Sequence, residues 1–321
     1  MEYRSISIGE RVFHALMEIK RPTEDVSELI DRLIDQDAKH SEYVEQYEDL
    51  SRLFKLYLPE NTITESLSRK GSLLHRENRV LTIMFSDIRS FTGISEAMSL
   101  EDIIQFLDGY FRIMTEIIYT RGGIVDKFIG DAIMAYFGYP IYEDKTTLEA
   151  VLAAIEMVET AQKNGIELER GSVFKYNIGI GINLGLVTIG NIGNIHRKLD
   201  FTVIGDMVNL ASRLEGLTKV YGQDILVSES VQNKIKDVLP SRIVDAVAVK
   251  KISEPVRIFT TRRDLDQKER EAWKNHNEGM THLFAHEFEN ALRHFHKVLE
   301  YQENDQLARM MIERCTKTMQ K

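Results

Sequence analysis

The spacing of hydrophobic and polar residues divides the chain into four segments. Early in the chain, apolar residues such as Val26, Ile30 and Leu33 recur every three or four positions, which predicts an amphipathic helix or a weak coiled coil. Strand-like and helix-like patterns alternate in the middle of the chain, and the last part is helical again. A mostly polar linker that begins at Pro59 follows the first pattern. We place these segments at residues 1–58, 59–78, 79–262 and 263–321.

The segment of residues 79–262 has the pattern of an α+β fold. Its predicted strands are RVLTIMFSDI, the two halves of GGIVDKFIGDAIMAYFG and two strands in YNIGIGINLGLVTIGNIG; its predicted helices are LEDIIQFLDGYFRIMTEIIYT, TLEAVLAAIEMVETAQKNG and DMVNLASRLEGLTKVYG. We expect the hairpin to turn at Gly130 and Asp131, and Gly165 to cap the second helix. Strand, helix, hairpin, helix, strand is the order of a ferredoxin-like split βαβ sandwich. We expect helical segments to flank it on both sides.

The last segment predicts helices with the spacing of a partial repeat. Gly279, Phe288, Ala291 and Phe295 lie at intervals similar to part of a tetratricopeptide repeat, although an ordinary helical hairpin fits equally well. One unit of this kind cannot bury its own apolar face. We therefore expect it to pack on the middle segment or on a protein partner.

Composition and charge exclude several classes of protein. The net charge of −9 is concentrated between Glu24 and Asp49, where ten acidic residues stand against two basic ones, so the rest of the chain is close to neutral. A nucleic-acid-binding protein would carry a basic stripe instead. No apolar run approaches the roughly 20 residues that span a bilayer, and the single cysteine, Cys315, fits a reducing compartment. We expect a cytoplasmic protein without a membrane span.

Two aspartates end predicted strands and are candidates for metal binding. Asp87 follows an apolar strand in FSDIRSFT, and Asp131 lies in the turn of the predicted hairpin. If the hairpin lies beside the first strand, the two carboxylates could hold two divalent ions about 4 Å apart. A helix-capping aspartate and a hairpin-turn aspartate have the same local pattern. Spacing alone leaves both interpretations open.

A third candidate pair lies on a predicted helix. Asn209 and Arg213, in TVIGDMVNLASR, are four residues apart and share one helix face. An amide beside a guanidinium suits a phosphate whose charge grows in a transition state. The alternative is a solvated face on which Arg213 pairs with an acid such as Glu215.

Together these motifs resemble a known family. FSDIRSFT, KFIGDAIMA and FTVIGDMVNLASRLEG are similar to the three signature segments of the class III adenylate/guanylate cyclase catalytic domain, over about residues 79–262, and VAVKKISEPVRIF resembles its closing strand. The resemblance implies an adenylate cyclase that converts ATP into 3′,5′-cyclic AMP and pyrophosphate. It also implies two Mg²⁺ or Mn²⁺ per active site and a symmetric homodimer, in which one subunit supplies the metal aspartates and the other supplies the remaining site residues.

The resemblance implies a role for each matching residue. As metal ligands it gives Asp87, Asp131 and, through its backbone carbonyl, Ile88. For the transition state it gives Asn209 and Arg213, and for substrate binding Lys127, Thr202, Phe91, Thr92 and Lys250. The closing segment departs from the family pattern, because it reads Lys-Lys-Ile where the family often has Lys-Gly-Lys.

Two of these positions imply a choice of purine. Lys127 matches a position that is lysine in adenylate cyclases and glutamate in guanylate cyclases. Thr202 matches one that is usually aspartate or threonine for adenine and cysteine for guanine, and its threonine form resembles the bicarbonate-responsive subgroup. A lysine ammonium can donate to adenine N1, and a threonine oxygen can accept from the adenine 6-amino group. The alternatives are a guanylate cyclase, against which Lys127 argues, and a catalytically silent, cyclase-like interaction protein.

Overall fold

The structure is a computed structural model that describes residues 76–96, 98–168, 173–194, 197–248 and 255–320, together with two helical residues, Glu28 and Arg32. Apart from these two, the predicted segment of residues 1–58 lies outside the described residues, as do residues 59–75 of the predicted linker. Residues Ser72–Lys321 form one compact unit. No helix among the described residues is long and apolar enough to cross a membrane.

A large, mostly antiparallel sheet forms the centre of this unit. Its strands are β1 (Arg76–Ile88), β2 (Gly123–Ile129), β3 (Ala132–Phe137), β6 (Ile178–Asn194), β7 (Lys198–Ile204), β8 (Ile225–Ser228), β9 (Ser241–Val247) and β10 (Val256–Thr261); the short β4 (Ile166–Glu167) and β5 (Val173–Phe174) pair separately. The order across the sheet is β2-β3-β1-β6-β8-β10-β9, and β7 pairs with the far half of β6. The stretch β2-β3-β1-β6 is the strand order of a split βαβ sandwich, which confirms the predicted fold class.

Helices cover both faces of the sheet. They are α1 (Phe91–Ser95), α2 (Leu100–Thr120), α3 (Thr146–Lys163), α4 (Asp206–Tyr221), α5 (Glu229–Ile235), α6 (Gln267–Phe284), α7 (Phe288–Tyr301) and α8 (Gln306–Met319). Helix α2 starts at an N-cap, Ser99, whose hydroxyl accepts from the Asp102 amide at 3.2 Å, and it buries a stripe of every fourth residue: Phe106, Tyr110, Met114 and Ile118.

Two sequence-based details need correction. The segment predicted as two glycine-rich strands is one 17-residue strand, β6. Helix α3 ends in an extended C-cap at Asn164, so Gly165 is not its cap. Glycine is needed at position 165 for a different reason, because a Cβ there would lie 2.8 Å from the carbonyl oxygen of Phe174 in the β4–β5 hairpin.

The alternating isoleucines and glycines of β6 explain how helices pack on its two faces. Ile178, Ile180 and Ile182 join the core beneath α2 and α3. Gly181 lies on the opposite face, where a Cβ would stand 2.8 Å from the Leu214 backbone of α4 and would also meet the backbone of its neighbours. Helix α4 therefore lies closer to the sheet than any other residue at position 181 would allow.

The three C-terminal helices pack on the far part of the sheet and on α4. They share a hydrophobic core with both, made of Leu210, Leu214, Tyr221, Val244, Met280, Phe295, Leu307 and Met311, among others. The buried guanidinium of Arg242 in β9 bonds both oxygens of Asp305, at 2.6 and 2.8 Å. The expectation that this segment packs on the middle segment is confirmed.

Candidate active site

The ends of β1 and of the β2–β3 hairpin bring Asp87 and Asp131 together. Ser86 pairs with Ile133 across the β1–β3 ladder, which sets Asp87 beside the turn. The predicted turn is confirmed, with Gly130 at a φ of 66°. The two carboxylates lie within hydrogen-bonding reach of each other. Burial, together with the contact to Asp87, raises the pKa of Asp131, while the backbone of Ile88 hydrogen-bonds to Asp131 and opposes that shift.

Further charged residues surround this pair. The ammonium of Lys219 lies 3.4 Å from an Asp87 oxygen. Glu215 is half-buried on α4, and burial, reinforced by Asp87, raises its pKa to about 7. The Arg89 guanidinium bonds the Gln223 carbonyl at 2.7 Å. Sequence reasoning missed Lys219 and considered Glu215 only as a partner for Arg213. The available signal was the i, i+4 spacing of Glu215 and Lys219 on a helix beside the strand end.

The contact between two carboxylates fits a divalent cation. Mg²⁺ is commonly held by one or two carboxylates together with substrate phosphates, and Asp87 with Asp131 is a donor set of that kind. The raised pKa of Asp131 reflects burial and like charge, both of which a bound cation would relieve. Within the described ranges, no group of three or more histidine, cysteine, aspartate or glutamate side chains is arranged to hold a metal.

Lys127 and Thr202 meet at a second place, around a carboxylate that sequence reasoning missed. The Thr202 hydroxyl donates to Oδ2 of Asp126 at 2.9 Å, and the Lys127 ammonium lies 3.4 Å from the same oxygen. The Asp126 side chain is completely buried, whereas that of Lys127 is 38% exposed. Burial raises the pKa of Asp126, and the contacts with Thr202 and Lys127 oppose this. An aspartate inside a strand whose other residues, apart from Lys127, are apolar was the signal.

Asn209 and Arg213 occupy an exposed face of α4, as the spacing predicts. Arg213 donates to the carbonyl of Ala248 at 2.5 Å. Among the described residues no ion pair joins Arg213 to Glu215, whose charge interacts with that of Asp87 instead.

The other predicted site residues have less distinctive surroundings. The side chain of Ile88 is buried in the core, which leaves only its backbone for the site. The Phe91 ring packs against Phe106, with centroids 6.2 Å apart, and Thr92 is exposed. Lys250 lies outside the described residues. Roles for these four residues in the reaction stay predictions.

The site residues thus form separate groups within one chain. Between described residues, no hydrogen bond or ion pair joins the aspartates Asp87 and Asp131 to Lys127, Thr202 or the α4 pair. The aspartates stand at one end of β1, and the pair of Lys127 and Thr202 is built from β2 and β7.

Comparison with known proteins identifies the family. Residues 74–255 match the adenylate and guanylate cyclase catalytic domain. The chain is similar to an adenylate cyclase of Anabaena cylindrica, with 41% identity over 188 residues, which are 56% of this chain and 36% of that protein. It is also similar to the terminal-differentiation-specific adenylate cyclase of Dictyostelium discoideum, with 38% identity over 244 residues, which are 73% of this chain and 11% of that protein.

A solved structure agrees with these matches. The adenylyl cyclase CyaB from P. aeruginosa superposes with a TM-score of 0.53 at 36% sequence identity, covering 60% of this chain and 100% of that one. The chain spans only about a third of the length of the Anabaena relative and a tenth of that from Dictyostelium. Since the family match covers more than half of its residues, the chain belongs to the adenylate and guanylate cyclase catalytic domain family.

Proposed function

We propose that this chain is an adenylate cyclase, which converts ATP into 3′,5′-cyclic AMP and pyrophosphate by two-metal catalysis at a homodimer interface. The observation that carries the proposal is the contact between the Asp87 and Asp131 carboxylates at neighbouring strand ends. The proximity of Lys127 and Thr202 supports adenine over guanine. Names of relatives and of the CyaB structure point to the same nucleotide.

The proposed reaction is an intramolecular phosphoryl transfer. The ribose 3′-oxygen forms a bond to the α-phosphorus, the bond to the β-phosphate oxygen breaks, and pyrophosphate leaves while the hydroxyl proton passes to solvent. Two Mg²⁺ or Mn²⁺ ions held by Asp87, Asp131 and the Ile88 carbonyl would lower the pKa of the hydroxyl and neutralise phosphate charge. Asn209 and Arg213 donate hydrogen bonds to the phosphate as its charge grows.

Substrate recognition in this proposal uses the base and the phosphates. Lys127 donates to adenine N1, and Thr202 accepts from the 6-amino group. Lys250 contacts the terminal phosphates, and Phe91 and Thr92 contribute on the side of the metal aspartates. Removing the ammonium or the hydroxyl would leave the base without an oriented partner.

A symmetric homodimer supplies the missing connection between these groups. In a two-fold dimer each surface meets its counterpart on the other copy. The aspartates of one copy would then face the Lys127, Thr202, Asn209 and Arg213 set of the other. The exposure of Asn209 and Arg213 on α4 supports this arrangement.

The direct test gives the purified chain ATP and GTP in parallel, with Mg²⁺ or Mn²⁺, and separates the products chromatographically. We expect cyclic AMP from ATP, little cyclic GMP, and loss of both in Asp87→Ala. Parallel reactions with bicarbonate show whether the threonine form responds to it. Preference for GTP would support the guanylate alternative, and no product from either nucleotide would support the silent one.

A further inference from the structure

The carboxylate of Asp126 is buried in the sheet and only partly hydrogen-bonded. Asp126 occupies a bulge in β2, between the pairs Val125–Ala135 and Lys127–Met134, so it is the extra residue of the ladder. Its side chain has no exposure to solvent, and its Oδ1 atom has no hydrogen-bond partner among the described residues. A buried, incompletely paired carboxylate destabilises a fold. Its presence therefore calls for an explanation other than stability.

Within the described part of the chain, the polar side chains bonded to this carboxylate are Thr202 and Lys127, the two that we propose bind the purine base. Oδ2 accepts the Thr202 hydroxyl at 2.9 Å and faces the Lys127 ammonium at 3.4 Å. Thr202 comes from β7 and Lys127 from β2, so the carboxylate joins two separate strands at this point. Tyr136 and Asp200 also lie close enough to interact with its charge.

A threonine hydroxyl has one proton to donate and lone pairs to accept with. An ionised carboxylate only accepts, so the bond to Asp126 uses the hydroxyl proton of Thr202. The hydroxyl oxygen of Thr202 then offers a ligand only its lone pairs, as a hydrogen-bond acceptor. An acceptor matches the 6-amino group of adenine and opposes the 6-oxo group of guanine.

We propose that Asp126 is a positioning residue for purine selection: it fixes the Thr202 hydroxyl as a hydrogen-bond acceptor and holds the Lys127 ammonium beside it, so that the pair accepts adenine and rejects guanine. This inference rests on the proposed adenylate cyclase function. Without Asp126 the hydroxyl can rotate and donate to a 6-oxo group, and the selection weakens.

The test is a double-mutant cycle on the ratio of kcat/KM for ATP to that for GTP. Asp126→Asn, Thr202→Val and the double variant are compared with the wild type. We expect Asp126→Asn to lower the ratio by about tenfold or more, because the amide can turn its NH2 toward Thr202 and leave the hydroxyl free to donate to a 6-oxo group. In the Thr202→Val background the same change should have little further effect, because the hydroxyl that it orients is gone.

A purely structural role would give a different result. Asp126→Asn would then reduce kcat/KM for both nucleotides alike, and by the same factor in the wild-type and Thr202→Val backgrounds, which would overturn the inference. Asp245→Asn is the matched control, because Asp245 is also a buried carboxylate that accepts a hydroxyl, that of Tyr221 at 2.7 Å. We expect it to leave the ATP to GTP ratio unchanged.

Two further measurements keep the inference testable. If Asp126→Asn does not fold, as judged by thermal unfolding, the wild type is given ATP and the purine ribonucleoside triphosphate that lacks the 6-amino group; equal kcat/KM for the two would contradict an acceptor at Thr202. The proposed function fails separately, if the wild type makes no cyclic AMP. Clear ATP selectivity that survives Asp126→Asn would overturn only the role of Asp126.

Discussion

At the scale of single residues, the proposed choice of purine depends on which hydrogen-bonding groups are left unused. Lys127 offers donors and no acceptor, and the Thr202 hydroxyl already donates its hydrogen bond to Asp126. The pair therefore presents a donor next to an acceptor. Adenine presents the complementary pattern at N1 and the 6-amino group, while guanine presents the reverse at N1–H and O6.

Reversing this pattern should reverse the preference for nucleotide. In Lys127→Glu with Thr202→Cys, the glutamate accepts from guanine N1–H, and we expect the kcat/KM ratio to move toward GTP. The new glutamate would lie beside Asp126, so adding Asp126→Asn should increase GTP use further by removing a like charge. Lys236→Glu, an exposed charge reversal, is the control. An unchanged ratio in both multiple variants would count against the two assignments.

Sequence motifs located most of the side chains that the proposed reaction uses, but not their neighbours. Asp87 and Asp131 could be paired because their strand ends were predictable. The position of Asp126 could not be predicted, because it depends on a bulge in β2 and on a contact with Thr202 of β7, which is 76 positions away in the chain. Contacts of this kind follow from strand register, which hydrophobic periodicity does not specify around a bulge.

At the scale of elements, the position of α4 depends on the glycines of β6. The pattern of isoleucine and glycine predicts two strands, since glycine weakens a strand interior. The structure shows one strand in which the glycines create room on one face. The same helix presents Asn209 and Arg213 outward and Glu215 and Lys219 toward Asp87.

Adding a single methyl group beneath α4 should therefore disturb both stability and activity. In Gly181→Ala the new Cβ meets helix backbone, which cannot rotate away, and we expect the free energy of unfolding to fall by about 1–3 kcal/mol. Cyclase activity should fall as well, because α4 carries Asn209 and Arg213. Denaturant unfolding and initial rates measure the two effects.

Gly216→Ala provides the matched control for this change. Gly216 lies on the same helix, where a Cβ would meet nothing within 4 Å. The free energy of unfolding should stay the same or rise by up to about 1 kcal/mol, because alanine favours the helix. If both variants behaved alike, close packing of α4 on β6 would not be what requires glycine at position 181.

At the scale of the whole molecule, the proposed reaction brings the separate groups of site residues together only where two chains meet. Each site of the proposed homodimer takes its aspartates from one copy and its transition-state residues from the other. A mixed dimer of two different defective chains would then contain one site with both defects and one site with none.

Mixing Asp87→Ala with Asn209→Ala, each inactive alone, should restore activity to about one quarter of the wild-type level, because half of the randomly formed dimers would hold one intact site. Mixing Asn209→Ala with Arg213→Ala is the control and should restore nothing, since both changes fall on the same side of the interface. Differently tagged chains show that mixed dimers form. Failure to recover in the first mixture, with mixed dimers present, would exclude the shared site.

The core shared by α4 and the three C-terminal helices limits how this protein can be shortened. The sequence pattern changes at about residue 262, and the family match ends at residue 255. Trimming the gene at either border would leave Leu210, Leu214 and Tyr221 facing water on the helix that carries Asn209. A soluble, active fragment for crystallisation or inhibitor screening should therefore be sought with residues 263–320 attached.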